Sequence, residues 1–135
     1  MTTGLRFVGG VAAMLIAASP TLAFGPSGRL KGLEPGEWEL RERGEDGAGV
    51  RPRRLCLTDL RQLIQIRHSG HNCRRLTVDE TTSRIAVSYD CAGAGGGRTD
   101  LRIETSRLVQ IRSQGVVGGA PFSFMMEGRR IGACR

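Results

Sequence analysis

Cys73 and Cys91 enclose the stretch CRRLTVDETTSRIAVSYDC, which constrains the fold more than any other part of the chain. Apolar and polar residues alternate on both sides of a polar turn at residues 81–83, and this period of two is typical of half-buried β-strands. Each cysteine lies nine positions from Thr82, so a hairpin that turns there places the two thiols opposite each other. The stretch therefore predicts a β-hairpin with a cysteine at each outer end.

The register of this hairpin stays open in the sequence. Leu76 and Val78 alternate with polar residues before the turn, and Val87 and Tyr89 do so after it. A register that puts all four on one face is one residue away from the register that aligns the cysteines, because facing alternates strictly along a strand. A β-bulge would reconcile the two registers, and so would a position of Cys73 just before the strand.

The first residues of the chain have the order of a secretory signal peptide. Arg6 precedes an apolar run over residues 7–18, and small residues follow up to Ala23. The run is shorter than the ~20 residues of an ordinary membrane span. We therefore predict a signal peptide over residues 1–23, a flexible lead-in over 24–32 and a single β-rich domain over 33–135. Cleavage would leave no transmembrane segment; an uncleaved N-terminal anchor is the alternative.

All four cysteines, Cys56, Cys73, Cys91 and Cys134, lie after the predicted cleavage site. An even number behind an export signal predicts two disulfides, whereas zinc is disfavoured because no C-x-x-C pair is present. If a helix crosses the sheet lengthwise, the strands before and after it run parallel, and the meander then brings Cys134 beside Cys56. This arrangement favours the pairs 73–91 and 56–134. If the helix returns at the same end of the sheet, the other pairings stay open.

The segments before the hairpin predict two strands and one helix. Trp38 lies on the inward side of the first strand, and the second strand covers residues 50–57, where Pro52 indicates a sheet edge or a strand start. A helix of about ten residues should follow, from an N-cap at Thr58 to the neighbourhood of Arg67.

The segments after the hairpin predict three more strands, the last over residues 122–131. We interpret the glycine-rich stretch 92–97 as a flexible link, since it lacks the Gly-Lys-Ser/Thr ending of a phosphate-binding loop, and residues 115–121 as a break. The chain is thus predicted to be mainly β: an antiparallel meander of about seven strands in a curved sheet or open barrel. One short helix lies between strands 2 and 3, and two disulfides cross-link the fold.

The net charge is +7, or +6 without Arg6, and nearly all of the positive charge is arginine. Such a charge suits lipid headgroups, acidic polysaccharide or nucleic acid. The arginines are scattered, however, and often alternate with core residues, as Arg102 and Arg112 do, so we favour a solvated sheet face. Nucleic acid is not expected as a partner, because aromatic residues are few and none interleaves with arginine.

Five different short motifs follow one another along the chain. They are Glu34-Pro35-Gly36-Glu37-Trp38-Glu39, Cys56-Leu57-Thr58, Cys73, Tyr89-Asp90-Cys91 and Arg129-Arg130-Ile131-Gly132-Ala133-Cys134. By these motifs and their order, residues 33–135 resemble the small exported proteins of Gram-negative bacteria that are grouped as domain-of-unknown-function family 3617. The resemblance implies a periplasmic, β-rich, non-catalytic domain, and it supplies no active-site residues. The chain departs from the family pattern at Pro121–Phe124, where many members are methionine-rich, and in its added His68 and His71.

No arrangement in the sequence predicts catalysis or a cofactor. No serine lies in a Gly-x-Ser-x-Gly motif, and no close pair of thiols is present for disulfide exchange. His68 and His71 are weak candidates for copper or zinc, together with Asp59 or the pair Met125-Met126. Their spacing is not that of a helical ligand pair, so we favour solvated or locally bonded histidines and assign no metal ligand.

The leading hypothesis is a monomeric periplasmic binding or interaction module for an envelope component, either a lipid, a polysaccharide or a protein. One alternative is an envelope structural factor without a ligand. The other is a copper- or zinc-handling protein that uses His68 and His71. The domain is predicted not to be an enzyme.

Overall fold

A computed structural model describes residues 32–44 and 52–135 of the chain. The predicted signal peptide (residues 1–23), the lead-in up to residue 31 and the start of the predicted second strand lie outside the described residues. The sheet has seven strands, which are β1 (Gly36–Glu42), β2 (Arg53–Leu57), β3 (Arg74–Glu80), β4 (Arg84–Asp90), β5 (Gly95–Thr105), β6 (Leu108–Val117) and β7 (Ala120–Gly132). All neighbouring strands are antiparallel. The predicted mainly β class with an antiparallel seven-stranded sheet is confirmed.

The strand order β2-β1-β7-β6-β5-β4-β3 departs from a simple meander at one place. Strands β3 to β7 follow one another as antiparallel neighbours, but β1 pairs with β7 as well as with β2. This pairing makes β2 and β3 the two edges of an open sheet, which agrees with the edge position that Pro52 indicates. Residues 58–73 cross from one edge of the sheet to the other, because they connect β2 with β3. Since these two strands run parallel, the segment also returns along the length of the strands.

The crossing segment contains two 3-10 helices, Leu60–Leu63 and Ile66–His68, where the sequence predicts one helix of about ten residues. The cap of the first is Asp59 and not Thr58, because the Asp59 carboxylate accepts a hydrogen bond from the Arg61 N–H at 3.0 Å. The reason is reach: six strand spacings of about 4.8 Å separate the edges, whereas ten α-helical residues span about 15 Å. A 3-10 helix rises about 2.0 Å per residue against about 1.5 Å in an α-helix, so each of its residues covers more of this distance. Within the described ranges, no helix is long and apolar enough to cross a membrane.

One face of the sheet, the inner face, carries the hydrophobic core, and residues 58–73 cover it. Trp38 and Leu40 on β1 and Phe124 and Met126 on β7 are buried, as the alternation predicts, whereas Met125 is 47% exposed on the outer face. The Trp38 Nε1–H donates to the carbonyl of Glu34 at 3.0 Å, so its one polar group is satisfied. The largest fully buried side chains are those of Trp38, Leu57, Leu63, Ile64, Ile85, Leu101 and Ile111.

Strands β3 and β4 form the predicted hairpin in the register that aligns the cysteines. Thr77 lies opposite Val87, and a bulge follows Thr77. Leu76 and Val78 lie on the outer face, 66% and 42% exposed, while Val87 and Tyr89 are buried. The register that the sequence left open is therefore the one that aligns the cysteines, and the bulge after Thr77 does not bring all four side chains to one face. On the inner face of this edge strand, Arg75 lies opposite Tyr89 and donates a hydrogen bond to the Gln65 side chain of the crossing segment.

Residues 95–97 of the glycine-rich stretch are the start of β5, so the interpretation of 92–97 as a flexible link is wrong for these glycines, whereas residues 92–94 form the turn after β4. Gly97 lies opposite Tyr89 on one side and Gly115 on the other. A Cβ atom on Gly97 would lie 3.0 Å from Tyr89 Oη and 2.5 Å from the Gln114 carbonyl oxygen. These glycines are thus required for close packing, whereas runs of glycine generally indicate a loop.

The predicted break over residues 115–121 is also shorter than expected. Strand β6 continues to Val117 and β7 begins at Ala120, so the connection is a two-residue turn. Gly118 and Gly119 have φ values of +55° and +81°. Positive φ at both central positions is the geometry of a type I′ turn, which matches the twist of the flanking strands.

Two disulfides are present, as predicted, and each anchors one edge strand. Cys56 in β2 is bonded to Cys134 beyond β7, with the Cα atoms 5.4 Å apart. Cys73, just before β3, is bonded to Cys91, just after β4, with the Cα atoms 4.1 Å apart. Both edges of the open sheet are therefore covalently tied to strands nearer its centre.

Candidate functional site

The outer face of the sheet carries a groove of about 580 Å³ whose charged lining is mainly arginine. The residues that line the groove come from β4, β5, β6 and β7 and from the position that follows the end of β1. The side chains that give the groove its chemistry are Arg43, Arg84, Asp100, Arg102, Arg112 and Met125. Four arginines line it against one aspartate, and although Arg43 pairs with Glu127 at 3.3 Å, the remaining three make it a positively charged surface. We call it the arginine groove.

Strand alternation and strand register together place these side chains. In β4 and β5, the positions next to inward-facing residues point outward, and Arg84 and Arg102 occupy two of them directly opposite each other. In the next outward-facing row, Asp100 lies opposite Arg112, and Arg112 lies opposite Met125. The arginine groove is thus built from two adjacent rows of outward-facing residues.

The positive charge of the arginine groove is only partly compensated. Arg84 and Arg102 are like charges on directly opposite positions, where Cβ atoms are about 5 Å apart and repulsion destabilises the sheet. Arg102 Nη2 lies 2.6 Å from a Glu104 carboxylate oxygen. Arg84 and Arg112 make no ion pair with any residue in the described part of the chain, and Arg112 Nη2 lies 3.7 Å from Met125 Sδ. These two guanidinium groups are exposed and free to take an anion.

Charge is balanced on the neighbouring part of the outer face, over β1 and β7. There the Glu127 carboxylate accepts hydrogen bonds from Gln110 at 3.1 Å and from Arg43 at 3.3 Å. The bond from Gln110, followed by those from Arg129 and Arg43, holds the pKa of Glu127 below its ordinary value. The excess of arginine is therefore a local property of the arginine groove and not of the whole sheet face.

His68 is fully buried between the crossing segment and the sheet. Its Nε2 lies 3.2 Å from the carbonyl oxygen of Ala94, which can only accept, so this nitrogen carries the proton. Its Nδ1 lies 3.3 Å from Tyr89 Oη and accepts from that hydroxyl. Burial raises the pKa of Tyr89, and a hydrogen bond with Ser113 opposes this shift. His68 is thus a hydrogen-bonded core residue, and both of its ring nitrogens are occupied.

The structure does not assemble the weak candidate metal site. His71 is exposed, and its ring centroid lies 6.2 Å from that of His68. Asp59 pairs with Arg61 at 2.9 Å, and Met125 and Met126 lie on opposite faces of β7. In residues 32–44 and 52–135, no group of three or more His, Cys, Asp or Glu residues is arranged to hold a metal ion.

We expect His68→Leu to lower the free energy of unfolding by about 2–3 kcal/mol, because Tyr89 and Ala94 lose a buried hydrogen-bond partner. Urea denaturation followed by the fluorescence of Trp38, the single tryptophan, measures the loss. His71→Ala is the control and should change stability by less than about 0.5 kcal/mol, as is usual for an exposed site. Equal effects of the two changes would contradict the structural role of His68.

The arginine groove was not anticipated from the sequence. Its signal is present, since Arg84, Arg102 and Arg112 each occupy an outward position of an alternating strand. Alternation shows that they point away from the core, but only the strand register shows that they meet. The four cysteines, in contrast, do not line the groove.

A family model described as "Protein of unknown function (DUF3617)" matches residues 33–134. No curated protein and no solved structure matches the chain.

Proposed function

The chain belongs to the DUF3617 family of proteins of unknown function, and on this premise we propose that it is an exported, non-catalytic binding module for an anionic envelope component. The ligand would bind in the arginine groove. The observation that carries the proposal is the uncompensated charge there: Arg84 lies opposite Arg102, and neither Arg84 nor Arg112 has a carboxylate partner among the described residues. A fold keeps such repulsion at a site where an anion relieves it.

The chemistry of the arginine groove favours binding over catalysis. Arginine stays protonated throughout the physiological pH range, so it can hold an anion but cannot exchange protons with a substrate. Met125 adds a flexible apolar surface beside Arg112. A lining of this kind suits recognition of a charged group next to an apolar or neutral one.

Two observations support export to the periplasm. Both pairs of cysteines are bonded, and disulfides persist in oxidising compartments such as the periplasm. The predicted signal peptide over residues 1–23 agrees with that compartment. A copper- or zinc-handling role is not favoured, because both ring nitrogens of His68 already have partners within the fold.

The proposal predicts that Arg84→Gln/Arg112→Gln weakens binding of fluorescently labelled heparin, a general polyanion, by about tenfold at fixed salt. These two arginines are chosen because their removal leaves no carboxylate unpaired. The protein should be purified from periplasm, where its first residue is expected to be Phe24. Fluorescence anisotropy gives the dissociation constant.

The matched control is Arg74→Gln/Arg135→Gln, which removes the same charge from exposed positions outside the arginine groove. It should weaken heparin binding by no more than about twofold, since long-range charge alone changes affinity little at physiological salt. If both variants lose affinity equally, the arginines act only as a solvated face. An envelope structural factor without a ligand then becomes the better account.

A further inference from the structure

We propose that the group bound in the arginine groove is a phosphate, held between Arg84 and Arg102 with Arg112 beside it. The inference rests on the proposed function, which requires only an anion, and it names the chemical class of that anion. The phosphate could be the headgroup of a lipid or part of a soluble phosphate ester, and the experiment below distinguishes these sources.

The two opposed arginines have a geometry that suits a phosphate. Arg84 and Arg102 are direct partners across β4 and β5, so their side chains leave the sheet side by side. Each guanidinium presents a planar fork that donates two parallel hydrogen bonds. A carboxylate has two oxygens in one plane and is satisfied by one fork. A phosphate monoester has three oxygens in a pyramid and two negative charges, so it can accept from two forks at once.

Of the opposed pair, Arg102 already contacts the Glu104 carboxylate at 2.6 Å, whereas Arg84 has no carboxylate partner among the described residues. The carboxylate of Asp100, the one acidic residue in the lining, lies 3.4 Å from Arg98 Nη2 and is thereby partly neutralised. Arg112 is the partner of Asp100 across β5 and β6, which brings a third guanidinium within one row of the opposed pair. A doubly charged anion at this point would be attracted to the guanidinium groups about twice as strongly as a singly charged one.

The arginine groove is larger than a phosphate and is partly apolar. A volume of about 580 Å³ falls in the range of sites for whole small ligands and is much larger than a lone phosphate. Met125, which is 47% exposed, flanks Arg112 and offers apolar contact to whatever carries the phosphate. The phosphate is therefore expected to be attached to a larger molecule.

The test compares phosphatidylcholine vesicles that contain phosphatidic acid, a phosphate monoester, with vesicles of equal surface charge that contain oleate, a carboxylate. We expect the wild-type protein to bind the phosphatidic acid vesicles about tenfold more tightly in a sedimentation assay. Glycerol 3-phosphate is then added as a soluble competitor. Displacement identifies a soluble phosphate ester as sufficient, whereas continued binding identifies a headgroup presented by a lipid surface.

The decisive variant is Arg84→Lys/Arg102→Lys, which keeps both charges but removes both forks. It should lose about tenfold in affinity for phosphatidic acid vesicles and much less for heparin. Arg74→Lys/Arg135→Lys, outside the arginine groove, is the control and should bind both probes like the wild type. Equal binding of oleate and phosphatidic acid vesicles, or an unchanged preference in the lysine variant, overturns the phosphate assignment.

The two proposals fail in different ways. If Arg84→Gln/Arg112→Gln weakens heparin binding but phosphate is not preferred, the groove binds another anion and the proposed function stands. If that variant behaves like its charge-matched control, the groove is not a binding site and both proposals fall.

Discussion

Replacement of Gly95 by alanine is expected to lower the free energy of unfolding by about 3–5 kcal/mol. Gly95 has a φ value of +108°, a conformation that side chains with a Cβ rarely adopt. A Cβ there would also clash with the backbone carbonyl of Val116 and lie 3.2 Å from His68 Nε2. Neither neighbour can move freely, because Val116 is in β6 and His68 is fully buried. Such a loss is a large share of the 5–15 kcal/mol that stabilises a typical domain.

The matched control for Gly95→Ala is Gly93→Ala. Gly93 has a similar φ of +92°, but a Cβ at this position would meet no atom within 4 Å. Gly93→Ala should therefore cost only the backbone strain, about 1–2 kcal/mol. Urea titrations monitored by Trp38 fluorescence and by circular dichroism measure both variants. If Gly95→Ala lowers the free energy of unfolding no more than Gly93→Ala does, the start of β5 packs less tightly against β6 than the contacts at Gly95 require.

Loss of the disulfide between Cys56 and Cys134 is expected to lower the free energy of unfolding by about 4.5 kcal/mol. The bond joins residues with a sequence separation of 78. Without it the unfolded chain gains conformational entropy, and for a loop of this length the gain stabilises the unfolded state by about 4.5 kcal/mol. Both cysteines are exposed, so Cys56→Ser/Cys134→Ser creates no cavity in the core. The unfolding free energy in urea, with the other disulfide intact, measures the effect.

The second disulfide provides the comparison for this prediction. It joins residues with a sequence separation of 18, for which the same entropy argument gives about 3 kcal/mol. Reduction of the wild-type protein, which opens both loops, should therefore lower the free energy of unfolding more than Cys56→Ser/Cys134→Ser does. A change of less than about 1 kcal/mol in Cys56→Ser/Cys134→Ser would mean that the edge strand β2 is held by its pairing with β1 alone.

The strands and their faces could be predicted from the sequence because they are local properties. Trp38, Leu40, Phe124 and Met126 alternate with polar neighbours, and a strand turns alternate residues to opposite sides whatever its partners are. The turn centred on Thr82 likewise follows from residues next to each other in the chain. The facing of Leu76 and Val78 could not be predicted in this way, because it depends on the register of the hairpin.

The candidate site could not be predicted, although each of its residues was visible. Arg84 and Arg102 are recognisable as outward-facing, but they meet only because β4 and β5 pair in one register. A shift of that register by one residue would oppose Arg84 to an inward-facing neighbour of Arg102. Register depends on the packing of the whole inner face, including Tyr89 against Gly97, and not on the sequence around either arginine.

The sequence by itself therefore determined the mainly β class, the alternation of each strand and the hairpin between Cys73 and Cys91, because these depend on neighbours in the chain. Only the tertiary structure decided that β1 lies beside β7, that residues 58–73 cross the sheet as two 3-10 helices, and that glycines form the start of β5. It also decided that the arginines converge. These features depend on contacts between residues far apart in sequence, which close-packing of the inner face selects and which no local pattern records.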